Sequence, residues 1–173
     1  VIVTVWDPEL VPEMLRRGVS VILGRGATAL RIRKVVDLPV VEIPIPFEDM
    51  ADTLIEASRY GRNIGVIGYN NLLSGLECLN PILNVSIRQI FAVDEDDTYH
   101  QIQKLKNEGV DVIVGGLIQT RYARELGLPA VRIELTDKSL SYACQEAEKL
   151  IATVKAATRK AEELKTILNT TNE

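Results

Sequence analysis

The chain has 173 residues, of which 46% are apolar and 25% charged, with a formal net charge of −4. That is enough to bury a core as one domain or two small lobes, and too apolar for a disordered chain. No Lys/Arg-dense block is present, which argues against direct nucleic-acid contact, because counterion release needs clustered cations. Cys78, Cys144 and the single His100 have no metal-ligand spacing, so no metal or cofactor is expected and both thiols are read as reduced packing residues. No run approaches the roughly 18 apolar residues of a membrane span and no signal peptide stands at Val1, so a cytoplasmic protein is expected.

In chain order, VIVTV reads as a strand with Trp6 packing at its end, and DPELVPEMLRRG as a helix. GVSVILGRGATALRI (18–32) then carries a short apolar strand into a turn holding Gly24, Arg25, Gly26 and Thr28, and on into a helix. A bare turn needs only the glycines, which reach backbone angles closed to other residues. Arg25 and Thr28 add a cation and a hydroxyl beside a helix start, whose N–H groups already favour phosphate or carboxylate. The plainer alternative is a turn made by Gly24 and Gly26 with Arg25 in solvent. LPVVEI reads as a strand and PFEDMADTLIEA as a helix; NIGVI is the next strand and runs into Gly68-Tyr69-Asn70-Asn71. IRQIFAV is a strand, and the acidic run 94–97 before TYHQIQKL is a helix start favoured by the dipole, with His100 solvated one turn in. A strand ending at Gly115-Gly116, a short helix, LPAVRI and TDKSL complete the pattern.

The chain also matches itself. GVSVILGRGATALRIRKVVDLPVVEI from Gly18 has a counterpart in GVDVIVGGLIQTRYARELGLPAVRI from Gly109, and the match continues from Leu38 to Leu128 with one residue lost between. Each copy reads strand, glycine turn, short helix, strand, longer helix, the alternation of a parallel sheet flanked by helices. The expected fold is α/β: two Rossmann-like lobes with parallel sheets related by internal duplication, plus a long C-terminal helix. Lobe one is placed at about 1–60, lobe two at about 61–138, and the terminal helix with its linker at 139–173, the division leaving room for helices to cross between the lobes. Copy one begins about one strand and one helix later than copy two, so roughly 20 to 30 residues of lobe one are expected upstream of Val1.

In open α/β sheets ligands sit beyond the carboxyl ends of the strands. The candidate ligand-binding residues are therefore Gly24, Arg25, Gly26, Ala27 and Thr28 of the first turn, Tyr69 and Asn70, Gly115 and Gly116, and Ser139 after the last strand. Arg25 aligns with Gly116, so only lobe one carries the cation.

VILGRGATA, PVVEI, GYNN after IGVI, LKNEGVDVIVGG and TDKSL together resemble the propionate-catabolism activator (PrpR) N-terminal domain family over residues 1 to about 150. The family turn reads Ser-Arg-Gly-Gly-Thr where this chain has Gly24-Arg25-Gly26-Ala27-Thr28, keeping the arginine, one glycine and the threonine. The resemblance implies a cytoplasmic, two-lobed effector-binding domain of a sigma-54-dependent, phosphorelay-like regulator. Such a domain binds a small organic-acid or other anionic metabolite and restrains or releases the ATPase and DNA-binding modules further along the same chain.

From Leu140 the apolar positions Ala143, Ala147, Leu150, Val154, Ala157, Ala161, Leu164 and Leu168 follow at gaps of three and four, a heptad seam,. Its first half can fold back on a lobe; its distal half is expected to project and to pair with a second copy, giving a homodimer. Two other function classes fit part of the sequence. Gly24 to Ala29 matches G-x-G-x-x-A after a strand with Glu42 downstream, which would suit a dinucleotide-binding enzyme. A periplasmic-type solute-binding protein shares the two-lobed logic. A two-cysteine racemase would need the thiols at equivalent places in the two copies, and Cys78 and Cys144 are not.

Overall fold

The computed structural model describes residues 2–3, 8–69 and 74–171, with side chains described over 9–69 and 74–167. Trp6 and Asn70 lie outside the described residues. Two parallel sheets form. The first has the order β1 (Ile2–Val3), β2 (Ile22–Gly24), β3 (Val40–Glu42). The second has the order β5 (Ser86–Phe91), β4 (Asn63–Gly68), β6 (Val112–Gly115), β7 (Ala130–Arg132). The helices are α1 (Val11–Arg16), α2 (Ala27–Val35), α3 (Phe47–Ala57), α4 (Asn80–Leu83), α5 (Glu95–Asn107), α6 (Leu117–Glu125) and α7 (Asp137–Thr171).

The duplication is written in the backbone bonds. Ile22 N–H donates to Pro39 O at 3.0 Å and Ile43 N–H to Gly24 O at 2.8 Å. At the equivalent places Ile113 N–H donates to Pro129 O at 3.0 Å and Ile133 N–H to Gly115 O at 2.9 Å. Gly18 and Gly109, with φ of 69° and 83°, turn the chain from helix to strand in each copy with angles that only glycine adopts readily.

Strand periodicity puts alternate residues on opposite faces, and each sheet is covered on both. In the second sheet Ile64, Val66, Val112 and Val114 face one layer, while Ile67 and Ile113 face α5 and α6 through Ile102, Leu105 and Ala123. What covers the first layer is α3, through Met50, Leu54 and Ala57. Conversely, Ala143 and Ala147 of α7 pack on Val21, Leu23 and Ile43 of the first sheet. The helix that ends copy one thus crosses to lobe two, and the helix that ends copy two crosses to lobe one. Met50 and Leu54 are fully buried, each contributing about 1.5–3 kcal/mol of transfer free energy. Where the crossings meet, Thr136 Oγ1 donates to Asp49 Oδ2 at 2.6 Å and Lys138 pairs with Glu48.

α7 has 35 residues, about 52 Å at 1.5 Å per residue. It is covered as far as the half-buried Leu150 and Ile151, and residues 152–167 are exposed. The expected division of the seam into a packed half and a projecting half is therefore present, Leu168 lying beyond the described side chains. The thiols correct an expectation: Cys78 and Cys144 are both exposed, not packed. Cys144 sits one residue past Ala143, on the solvent side of α7. Among the described residues, no helix is long and apolar enough to cross a membrane.

Candidate functional site

A cavity of about 570 Å³ opens between the lobes at the carboxyl ends of the strands. Lobe one supplies the turn after β2. There Gly26 is the N-cap of α2 with φ 53° and ψ −128°, a conformation essentially reserved to glycine. A Cβ on Gly24 would stand 3.2 Å from Ala29 Cα, so this glycine lets the helix close onto the strand end. Of the predicted residues, Arg25, Gly26, Ala27, Thr28, Tyr69 and Gly116 line the cavity. Gly24, Gly115 and Ser139 do not line it. Ser139 is fully buried, its hydroxyl accepting from Thr136 N–H at 3.1 Å in a reciprocal cap of α7.

Arg25 reaches across the cleft. Its Nη1 donates to Glu134 O at 2.9 Å and to Ile133 O at 3.3 Å, just past β7 of lobe two. Its Nε and Nη2 are buried and find no acceptor among the described residues. Burial pulls the guanidinium below its ordinary value, and the nearby charges of Asp49 and Glu134 only partly offset this. The edge formed by Nε and Nη2 is the one that receives a carboxylate in a paired contact.

Sequence reasoning missed the opposite end of the cavity. Glu95, the first residue of α5, takes Arg31 of α2 with one oxygen; with the other it accepts from Arg121 Nη2 at 2.9 Å and Tyr122 Oη at 3.1 Å. This carboxylate ties lobe one to lobe two. Partial burial pushes the Glu95 carboxyl up, but the hydrogen bond from Tyr122 and the charge of Arg31 outweigh it and hold the group below its usual range. The acidic run does start the helix as expected: Asp94 caps Asp97 N–H at 2.8 Å and Asp97 Oδ2 accepts from Val93 N–H at 2.9 Å. Arg132 is chelated by Glu134, at 2.7 and 2.8 Å. Three of the four arginines lining the cavity are thus paired with carboxylates, and Arg25 carries the open donors.

Tyr69 closes the floor, 5% exposed, its hydroxyl donating at 3.2 Å to Thr98 Oγ1, which itself donates to Asp94 O. Burial raises its phenol above the ordinary value. Gln119, also missed, lines the cavity from α6 with its Oε1 accepting Gly116 N–H at 3.1 Å. The Gly-x-x-Gln spacing of a helix cap was the available signal. Glu42, which a dinucleotide site would use on the ribose, is instead paired with Arg33 Nη1 at 3.3 Å and does not line the cavity. Among the described residues no group of acidic, His or Cys side chains could hold a metal.

The sequence model of the family described as propionate catabolism activator matches residues 8–157. A solved structure, an NtrC-family transcriptional regulator from Clostridium acetobutylicum, is similar at 27% identity with a TM-score of 0.76, covering 87% of this chain and 81% of that one. With the family model matched over residues 8–157 of the 173, this protein belongs to the propionate catabolism activator N-terminal domain family, the sensory domains of sigma-54-dependent transcription activators.

Proposed function

We propose that the domain binds a small anionic metabolite in the interlobe cavity and passes the event through α7 to ATPase and DNA-binding modules of the same chain. It acts as a binding module, not an enzyme, in the cytoplasm. The observation that carries this reading is Arg25: a cation half tied to two carbonyls of the other lobe, with two buried donors that find no acceptor among the described residues. An unpaired buried donor is costly, and a carboxylate or phosphate on that edge removes the cost. The N-terminus of α2 adds its partial positive charge beside the same anion.

Because α3 and α7 each pack on the other lobe, a change in lobe angle on binding must move the base of α7 relative to lobe two. The exposed half of that helix, with Val154 and Leu164 48% and 53% exposed, is the surface through which two copies pair. Titration calorimetry of a panel of organic acids against wild type and Arg25→Ala tests the site. Acids that bind wild type and lose at least tenfold in the variant support it; equal affinity for both proteins refutes it.

A further inference from the structure

Gln119 is 3% exposed and lines the cavity from lobe two, opposite the turn that bears Arg25. The orientation of its amide is set by the backbone. Oε1 accepts the Gly116 N–H, and a reversed amide would set an NH2 group against that donor. The nitrogen end is therefore the free one, and Nε2 is buried with no acceptor among the described residues. The glycines before it make the room: a Cβ on Gly115 would fall 2.5 Å from Gln119 Cβ and 2.8 Å from Ile67 O. Close approach of the side chain to the end of β6 thus depends on Gly115. The first-turn N–H groups of α6, which no helical carbonyl can satisfy, share this end of the cavity through Leu117 and Ile118. A glutamine is a cheap residue to leave in solvent. Burying one with its acceptor used and its donor open points to a missing acceptor rather than to packing.

We propose that Gln119 is the specificity-determining residue of lobe two, donating its Nε2–H to an oxygen acceptor on the ligand whose anionic group Arg25 holds from lobe one. The ligand class is a short carboxylic acid bearing a second oxygen, such as a hydroxyl or carbonyl, rather than a plain alkanoic acid. This rests on the anion-sensing reading of the cavity. The two contacts come from different lobes, so a ligand that makes both spans the cleft, whereas a plain acid engages Arg25 alone.

The test is calorimetric titration of butanoate, pentanoate and hexanoate, each against its hydroxy and oxo derivatives, on the whole chain. Wild type is expected to favour the oxygenated member of each pair by about tenfold, one hydrogen bond to a buried donor. Gln119→Leu should abolish the preference, read as the ratio of affinities for the two members of each pair. Gln119→Glu keeps the acceptor for Gly116 N–H but presents an oxygen where the donor was, and should reverse the preference for the oxo acids; circular dichroism confirms that both variants fold. Oxygenated and plain acids binding wild type equally, with binding lost in Arg25→Ala, overturns the role of Gln119 alone. A preference that survives in both variants overturns it as well. Failure of every acid to bind wild type removes the anion-sensing reading and this inference together.

Discussion

Replacing Arg25 by alanine separates a binding role from a structural one, because the two make opposite demands on the unliganded protein. The substitution removes two charge-assisted bonds to carbonyls, one at 2.9 Å and one at 3.3 Å, the longer at the edge of hydrogen-bonding distance. Bonds of this kind are worth about 1.5–3 kcal/mol each. It also removes two buried donors that have no acceptor among the described residues, each costing about 1–3 kcal/mol. The terms nearly cancel. Unliganded Arg25→Ala is expected to melt within about 4 °C of wild type, as about 1 kcal/mol shifts a chain of this size by about 2–4 °C. With a bound acid the balance changes, because Nε and Nη2 now both have an anionic partner. The variant should then bind about 10- to 150-fold more weakly, the equivalent of one hydrogen bond to a charged group. Arg25→Lys should recover little, since an ammonium cannot offer two parallel donors. Differential scanning calorimetry without ligand and isothermal titration with the best acid of the panel supply both numbers. A loss of more than about 3 kcal/mol in the unliganded protein would show that Arg25 is chiefly a strut between the lobes, and the reasoning from its open donors would fail.

Glu95→Gln removes the charge that holds Arg31 and Arg121 together across the cleft. Both arginines are about half exposed, so the loss of stability should stay within about 1 kcal/mol, while small-angle scattering shows a larger radius of gyration; an unchanged profile means the pair does not hold the cleft. Because the folded Glu95 carboxyl titrates below its ordinary range, its contribution is complete above the unfolded carboxyl value of about 4.3 and is lost as pH falls through the lowered folded value. The scattering difference between wild type and Glu95→Gln should therefore vanish in acid. Gly26→Ala forces an L-residue to φ 53° and ψ −128° and should cost about 1–3 kcal/mol in urea unfolding, a result refuted by an unchanged midpoint. Deleting everything after Ala152 leaves the packed half of α7 intact, so the truncated chain should fold and bind the same acid as a monomer by sedimentation equilibrium. A truncated chain that still dimerises would put the interface on the lobes.

Much of this protein was legible in one dimension because the features concerned are local. The glycine turn at Gly24–Gly26, the repeat from Gly18 to Gly109, the Asp94 cap and the heptad spacing of α7 each depend on residues within a turn or two, or on a pattern compared with itself. Tertiary structure alone decided which partners those elements met. The stripe of Met50, Leu54 and Ala57 on α3 reads identically whether it covers its own sheet or the other one, since burial rewards apolar area and not its origin; only the packing shows that α3 and α7 change places. The acidic run announces a helix start, yet nothing near Glu95 in the chain predicts that Arg31, 64 residues away, will share its carboxylate. Gln119 carries the helix-cap spacing, but its open Nε2 becomes visible only once the fold has buried the side chain. Exposure of Cys78 and Cys144 was misjudged for the same reason: a residue's type sets its preference for the interior, and the surfaces that reach it decide whether the preference is met.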